Sequence, residues 1–495
     1  MKIRSYILAF FSLIAIFLYL YFLIYSLILF DKTLIERILS IILILINGFF
    51  IMHSLSYLYY YVTASTKYEE TVTYYFSRYF PFQTSVFIAT FNESPDVLEN
   101  TMLNVKLMCR RGNGIPYILD DSTDRNKQAA IMNLAKKYNF IYVHRENRRG
   151  YKAGALNDAL KTINTRYFAV FDADQNPLPE FLTEILPIME EDDKIALIQV
   201  PQRYVNNNTR VAKGANDIQE VFYNFITQGK SLEDSMFSCG SNVLYRTDVI
   251  KKIGGFDEEN VTEDLATSIK IHEYGYKSIY YSRPLASGEA PETLNSYFIQ
   301  QSRWSQGSMA IFFRVLKLLF RRKKLTIRQK LGYLVTTSWY FVGTVNIIML
   351  LFPLLFIFFN IVSIITPRIY IFILGFYIIF EFFAFSSTVY SINKSIVPVL
   401  RNISLTFITS PVFVKSAFYA LIGKRTSFKV TPKGDSTKIP IKGIWPNILM
   451  IFLTLSGTFY SLYRYIFTGL IQYVFNGIFL IYFTILGLTI FYYNK

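Results

Sequence analysis

Uncharged apolar runs long enough to cross a bilayer stand near both ends of this chain, with a long polar stretch between them. Tyr6 to Phe30 contains no charged residue. A crossing needs roughly 20 such residues, and a signal-peptide core is shorter. No small-residue cleavage site follows. After Asp31-Lys32 a second span runs from about Ile38 to Val62, and Lys2 and Arg4 precede the first. The pair predicts a hairpin with both ends in the cytosol. Further spans are expected at Ile347–Ile365, Ile369–Tyr390, Ile448–Tyr465 and Leu470–Tyr492. Leu331–Asn346 and Ile403–Ile422 can each be read as a crossing or an interface segment. Six spans are expected, with eight the alternative, and both counts leave the C-terminus in the cytosol. A chain that is 52% hydrophobic and 18% aromatic fits a membrane protein with a soluble part. The net charge of +16 comes from Lys and Arg flanking the spans, where the positive-inside rule accounts for them. Nucleic-acid binding is not expected. The two cysteines, Cys109 and Cys239, lie in the cytosolic stretch and are expected to be reduced.

Within the polar stretch, strand-like runs alternate with helical patterns: Ser85–Thr90, Pro116–Leu119, Phe140–Val143, Tyr167–Phe171 and Ala196–Val200. That alternation predicts a βαβ, mostly parallel sheet covered on both faces. The expected division is a hairpin over 1–66, a cytosolic α/β domain over 67–309, interface helices over 310–346, and a membrane region over 347–495. Ala310–Lys330, with Arg314, Lys317 and Arg321 to Lys324, reads as a basic helix lying in the membrane interface. Gly423 to Trp445 reads as a Lys-rich cytosolic loop.

Tyr167–Phe171 leads into Asp172 and Asp174, one residue apart. The carboxyl ends of strands are where open α/β sheets bind ligands, and two carboxylates there suit a hard divalent cation. The other strand ends carry Thr90 to Glu93 and Asp120 to Asp124, side chains able to hold a nucleoside or, equally, to cap a helix. Arg149-Gly-Tyr-Lys152-Ala-Gly offers phosphate a helix start and two cations. Thr262-Glu263-Asp264 puts two carboxylates in the first turn of a helix running through His272. Gln300-Gln-Ser-Arg303-Trp304 sets a guanidinium beside an indole.

In this order the motifs resemble family 2 glycosyltransferases, and among them the processive membrane synthases typified by bacterial cellulose synthase. The resemblance rests on Asp120-Asp121, Lys152-Ala-Gly, Asp172-Ala-Asp174, Thr262-Glu-Asp264, Gln300-x-x-Arg303-Trp304, and Phe428-Lys-Val430-Thr431 with Lys433-Gly434. It implies a GT-A-type domain inserted between transmembrane helices, polymerising a UDP-sugar into a β-linked, cellulose-like polysaccharide and moving it across the membrane. It implies that Asp120, with Thr90 and Glu93, holds the nucleoside, and that Lys152, Gln300 and Arg303 face the diphosphate. Asp172 and Asp174 would hold Mg2+ or Mn2+ and the nucleotide sugar. Asp264 would be the general base, with Glu263, Cys239 and Trp304 at the acceptor. Phe428, Val430, Thr431 and Lys433, in a segment over 425–440, would form a loop closing over the donor. Phe91 stands where many relatives have Tyr. No cyclic-di-GMP-binding domain is expected after the last span. The implied partners are the UDP-sugar, the growing polysaccharide, the bilayer and accessory export or assembly subunits. The competing readings are a one-sugar lipid-linked transferase, a hyaluronan- or chitin-type synthase, and a catalytically dead channel subunit. The sugar and its linkage are not written in these motifs.

Overall fold

The computed structural model describes residues 2–29, 33–67, 82–320, 324–361, 367–424 and 438–495. Two helices open it, α1 (Lys2–Leu29) and α2 (Leu34–Lys67). The α/β part carries strands β1 (Thr84–Thr90), β2 (Gly114–Asp120), β3 (Ile141–His144), β4 (Tyr167–Asp172), β5 (Asn176–Pro177), β6 (Ile195–Gln199), β7 (Arg203–Tyr204), β8 (Val243–Arg246), β9 (Lys277–Tyr280) and β10 (Ala286–Gly288). Its helices are α3 (Pro95–Gly112), α4 (Arg125–Tyr138), α5 (Tyr151–Thr162), α6 (Phe181–Glu191), α7 (Arg210–Val221), α8 (Thr227–Leu232), α9 (Thr247–Lys252) and α10 (Glu263–Glu273). There follow α11 (Leu294–Leu319), α12 (Ile327–Ser338), α13 (Val342–Phe359), α14 (Pro367–Asn393), α15 (Val397–Ile408), α16 (Ser410–Leu421), α17 (Trp445–Thr468) and α18 (Ile471–Tyr493).

Seven strands form one sheet in the order β3-β2-β1-β4-β8-β6-β9. Alternation along β1 explains its two-sided cover. Val86 and Ile88 pack with α3, α4 and α6, through Met102, Ile131 and Phe181. Phe87 faces the other way, with Leu156 of α5, Ile250 of α9 and Ile271 of α10. The mostly parallel sheet is thus present, with one departure: β8 runs antiparallel to both β4 and β6. The order reverses between β1 and β4, which makes their carboxyl ends the switch point where such sheets bind ligands. Register brings the motif residues level there, with Thr90 opposite Asp120 and Ala89 opposite Asp172.

Four described helical stretches are long and apolar enough to cross a membrane: Tyr6–Tyr25, Leu34–Thr66, Ile327–Phe359 and Ile471–Tyr493. The bent pair α15 and α16, at 48°, counts as a fifth if taken as one span. Helices α14 and α17 lie at the two other positions expected from sequence. The single interface helix expected over Ala310–Lys330 is not one element. Ala310 to Leu319 continues α11, and a capping box on Thr326 starts α12 afresh. The expected boundary at residue 309 falls inside α11, so the α/β part and the apolar helical part share that helix. Ser305 on α11 donates to Ser416 on α16 at 2.7 Å, tying it to the bent pair.

Candidate functional site

Asp120 ends β2, is 1% exposed, and has its carboxylate held twice. Oδ1 accepts from the Ser122 amide at 2.9 Å and Oδ2 from the Tyr142 hydroxyl at 2.8 Å. Beside it the Thr90 hydroxyl is buried without a partner among the described residues. Asp124 caps α4 through the amides of Asn126 and Lys127, so the end of that motif is a helix cap. Asp121 is clamped by Arg145, with Nε at 2.9 Å and a terminal nitrogen at 2.6 Å from its two oxygens. Arg145 also donates to the carbonyls of Arg149 and Tyr151, and so fixes the loop that starts α5. Arg149 pairs with Glu258 at 3.0 Å, which turns it toward Glu258, whereas Lys152 reaches the motif carboxylate Asp172. Nothing in the sequence marked Arg145, because its partners lie in three separate segments.

The second group of residues converges on Gly240. Lys152 Nζ pairs with Asp172 Oδ1 and donates to the Gly240 carbonyl at 2.9 Å. Gly240 has φ +84, and a Cβ there would lie 3.1 Å from Asp264 Oδ2. Only glycine fits that backbone and that approach without strain. Asp264 Oδ1 accepts from the Leu265 amide at 2.8 Å. Ser268 donates to the Asp264 carbonyl at 2.7 Å and accepts from the Ser238 amide at 2.9 Å. The Ser238 hydroxyl in turn accepts from the Gly240 amide at 3.0 Å. Ser238 and Ser268 therefore set the spacing between the Gly240 turn and α10, a role sequence did not reveal.

Burial raises the carboxyl pKa of both Asp264 and Glu263, and Lys152 offsets only part of the rise. For Lys152, burial works against the ammonium, but Asp172 and Glu263 outweigh it and hold its pKa above the usual lysine value. A carboxylate poised closer to neutrality and facing a cleft is suited to take a proton. Asp174 follows Asp172 on the same strand end, half-buried and near Tyr204. Among the described residues no group of three or more His, Cys, Asp or Glu side chains is arranged around a metal position.

Helix α11 brings the remaining motif alongside. Its Gly307 abuts Thr262, where a Cβ would come within 2.4 Å of Cγ2. That contact lets α11 pack directly on the turn bearing Asp264. Thr262 starts α10 but makes no side-chain cap bond, and its hydroxyl is buried without a partner among the described residues. Gln300 lies close to the Tyr204 hydroxyl. Burial pushes the Cys239 thiol up to about 12, so it stays protonated and is no nucleophile. A cavity of about 900 Å³ is walled by Asp264, Cys239, Thr262 and Trp304, and continues past Tyr297, Tyr340, Phe413 and Phe483 among the apolar helices that follow the α/β part. Phe428, Val430, Thr431 and Lys433 lie outside the described residues.

Residues 167–384 match the glycosyl transferase family group 2. The chain is 31% identical over 281 residues to a cellulose synthase catalytic subunit of Pseudomonas fluorescens, covering 56% of this chain and 37% of the relative. It is 28% identical over 399 residues to the cellulose synthase 1 catalytic subunit of Komagataeibacter xylinus, covering 78% of this chain and 52% of the relative. The chain thus spans about half or less of the length of these relatives. Among solved structures, a mannosyltransferase from Pyrobaculum calidifontis in complex with GDP-Man and Mn2+ matches with a TM-score of 0.54 and 16% identity. That match covers 77% of this chain and 99% of that one, and shows a shared fold.

Proposed function

We propose, for a chain that carries a glycosyl transferase family 2 domain and is cellulose-synthase-like, that it is a membrane-embedded, processive, inverting glycosyltransferase. It takes a UDP-sugar, adds the sugar to a growing β-linked polysaccharide, and passes the product through its own membrane part. One observation carries this reading. The cavity beside Asp264 is continuous with the space between the apolar helices, so a product lengthened at Asp264 has somewhere to go without leaving the protein.

The chemistry follows from the geometry. The acceptor hydroxyl oxygen attacks the anomeric carbon, and the bond from that carbon to the UDP oxygen breaks, leaving its electron pair on UDP. The hydroxyl proton passes to the Asp264 carboxylate, which the Leu265 amide and the Ser268 bond to its backbone hold in place. Lys152, which pairs with Asp172, would offset negative charge growing on the leaving diphosphate, and Arg303 on α11 would assist it. Trp304 lines the cavity and would stack on the acceptor sugar. Asp120 and Thr90 would hold the nucleoside, and Glu93 follows at the same edge.

Two half-buried carboxylates at a sheet edge offer the oxygen ligands that Mg2+ or Mn2+ prefers. Asp172 and Asp174 would hold the ion, although Lys152 already occupies one oxygen of Asp172. When bound, the ion would neutralise charge on the diphosphate. The Phe428–Lys433 segment would close over the donor and keep water out. Both termini and the catalytic domain would face the cytosol, with accessory subunits aiding export.

The purified protein in lipid vesicles, given a panel of nucleotide sugars, tests the proposal. One UDP-sugar should yield a polymer with one UDP released per sugar added. A product that stops at one added sugar would replace this reading with a lipid-linked transferase.

A further inference from the structure

The ladder between β4 and β8 ends at the pair Val170 and Val243. Continued past that pair, the antiparallel register sets Asp172 opposite Ser241. There the link passes from backbone to side chains. The Asp172 amide donates to the Ser241 hydroxyl oxygen at 2.8 Å, and that hydroxyl donates to Asn242 Oδ1 at 3.3 Å. Asn242 Nδ2 donates in turn to Gln175 Oε1 at 2.8 Å. The Gln175 amide closes the turn by donating to the Asp172 carbonyl at 3.1 Å. This ring of bonds encloses the segment 172–175, which bears both Asp172 and Asp174.

Ser241 and Asn242 are fully buried and Gln175 nearly so. The Gln175 side chain lies against Gly288 of β10, where a Cβ would come within 1.9 Å of its Nε2. Asn242 sits at φ +55, a left-handed conformation that Asn and Gly tolerate. Gln199 holds the backbone of the same loop, donating to the Ser241 carbonyl at 2.8 Å and accepting from the Cys239 amide at 2.7 Å. The loop thus has two separable attachments. Gly240, with Ser238 and Ser268, spaces Asp264. Ser241, Asn242 and Gln175 hold the turn that carries Asp172 and Asp174.

We infer, resting on the reading of Asp172 and Asp174 as cation ligands, that Gln175 and Asn242 are positioning residues for the divalent cation and the diphosphate it binds. They act through the Ser241 hydroxyl and the 172–175 turn, which fix the backbone carrying the two carboxylates. Partners one step behind a metal ligand orient it, and losing one costs roughly tenfold to a hundredfold in metal affinity. Asp264 is held by other bonds, so proton transfer is spared.

Binding can be read without turnover. The full chain in lipid nanodiscs is titrated with UDP by calorimetry, in excess Mn2+ and in excess chelator. The wild type should bind UDP more tightly with Mn2+. Asn242→Gly keeps the backbone conformation and removes both side-chain bonds, and Gln175→Met removes the other partner while keeping its length. Each should weaken Mn2+-dependent UDP binding by roughly tenfold or more, with UDP binding in chelator and kcat at saturating Mn2+ and donor little changed. Thermal unfolding of the same samples separates positioning from packing. Each single variant leaves a buried amide group without its partner and should lose stability, whereas the double variant removes both partners and should regain part of it. Its Mn2+-dependent affinity should stay as low as in the single variants. Affinity that recovers together with stability in the double variant overturns the inference. So does wild-type Mn2+-dependent affinity in both single variants, or a fall in kcat at saturating Mn2+ as large as the fall in affinity. UDP binding by the wild type that is equal in Mn2+ and in chelator instead overturns the cation reading, and the positioning role falls with it.

Discussion

Gly240→Ala puts a methyl group between Asp264 and Lys152, and its two effects can be separated. The first is conformational. At φ +84 an alanine carries strain of about 1–2 kcal/mol, which appears as lost stability. The second is steric. The new Cβ would lie 3.1 Å from Asp264 Oδ2, 3.7 Å from its Cγ and 3.8 Å from Lys152 Nζ. Ordinary contact begins near 3.4 Å, so the carboxylate must retreat by a few tenths of an ångström. A misplacement of about 1 Å can cost roughly a hundredfold in rate, so this smaller shift should lower kcat roughly threefold to tenfold. Gly254→Ala is the control. It has φ +86 and no atom within 4 Å of its would-be Cβ, so it carries the strain without the collision. UDP release at saturating donor, and thermal unfolding, would be measured for both variants. Both should lose similar stability, and only Gly240→Ala should lose kcat, with the donor KM little changed. Equal kcat losses in the two variants, or full kcat in Gly240→Ala, would refute the claim that Gly240 spaces Asp264.

Three further outcomes are expected. Because burial raises the Asp264 pKa and the base must be unprotonated, kcat should fall as pH drops through a range above that of an ordinary carboxylate, near 4; an acid limb at or below pH 4 would contradict this. Excess chelator should abolish transfer and Mg2+ or Mn2+ should restore it, since Asp172 and Asp174 are hard oxygen ligands; undiminished turnover in chelator would remove the metal from the account. Lys230 on α8 is 2% exposed, donates to the Gly332 carbonyl at 2.9 Å, and is lowered by burial to about 7. Between about pH 7 and the usual lysine value near 10.4, the unfolded chain binds a proton that the folded chain does not, so stability should rise with pH across that window. Lys230→Met should flatten the rise, as chemical denaturation at several pH values would show; equal slopes in the two proteins would contradict it.

The sequence carried the central sheet well because β1, β2 and β4 are short, buried on both faces and rich in β-branched and aromatic residues. Strand direction was another matter. Val243–Arg246 is buried throughout, and a fully buried run looks the same whichever way it pairs, so the antiparallel β8 was not legible. The strands β5, β7 and β10 are too short to leave a pattern. Ala310–Lys330 misled because its basic and apolar residues fit a single amphipathic helix. The caps at Thr293 and Thr326, each with its partner three residues on, were the available signal for two helices. In the site, the acidic motifs were visible as local spacing. Arg145, Ser238, Ser268 and the spacing role of Gly240 were not, because each acts through contacts between distant segments. Ser238 meets Ser268 across thirty residues, and Lys152 meets Gly240 across eighty-eight.

In the proposed polysaccharide-forming transfer, Asp264 takes the acceptor proton. Asp264→Asn keeps the shape of the side chain and removes the base. Wild-type and variant protein in lipid vesicles would be given the active UDP-sugar in labelled form, with polymer formation and UDP affinity measured on the same preparations. Polymer synthesis should fall by roughly a hundredfold to ten-thousandfold, with UDP affinity little changed. Polymer made by the variant at the wild-type rate would contradict it.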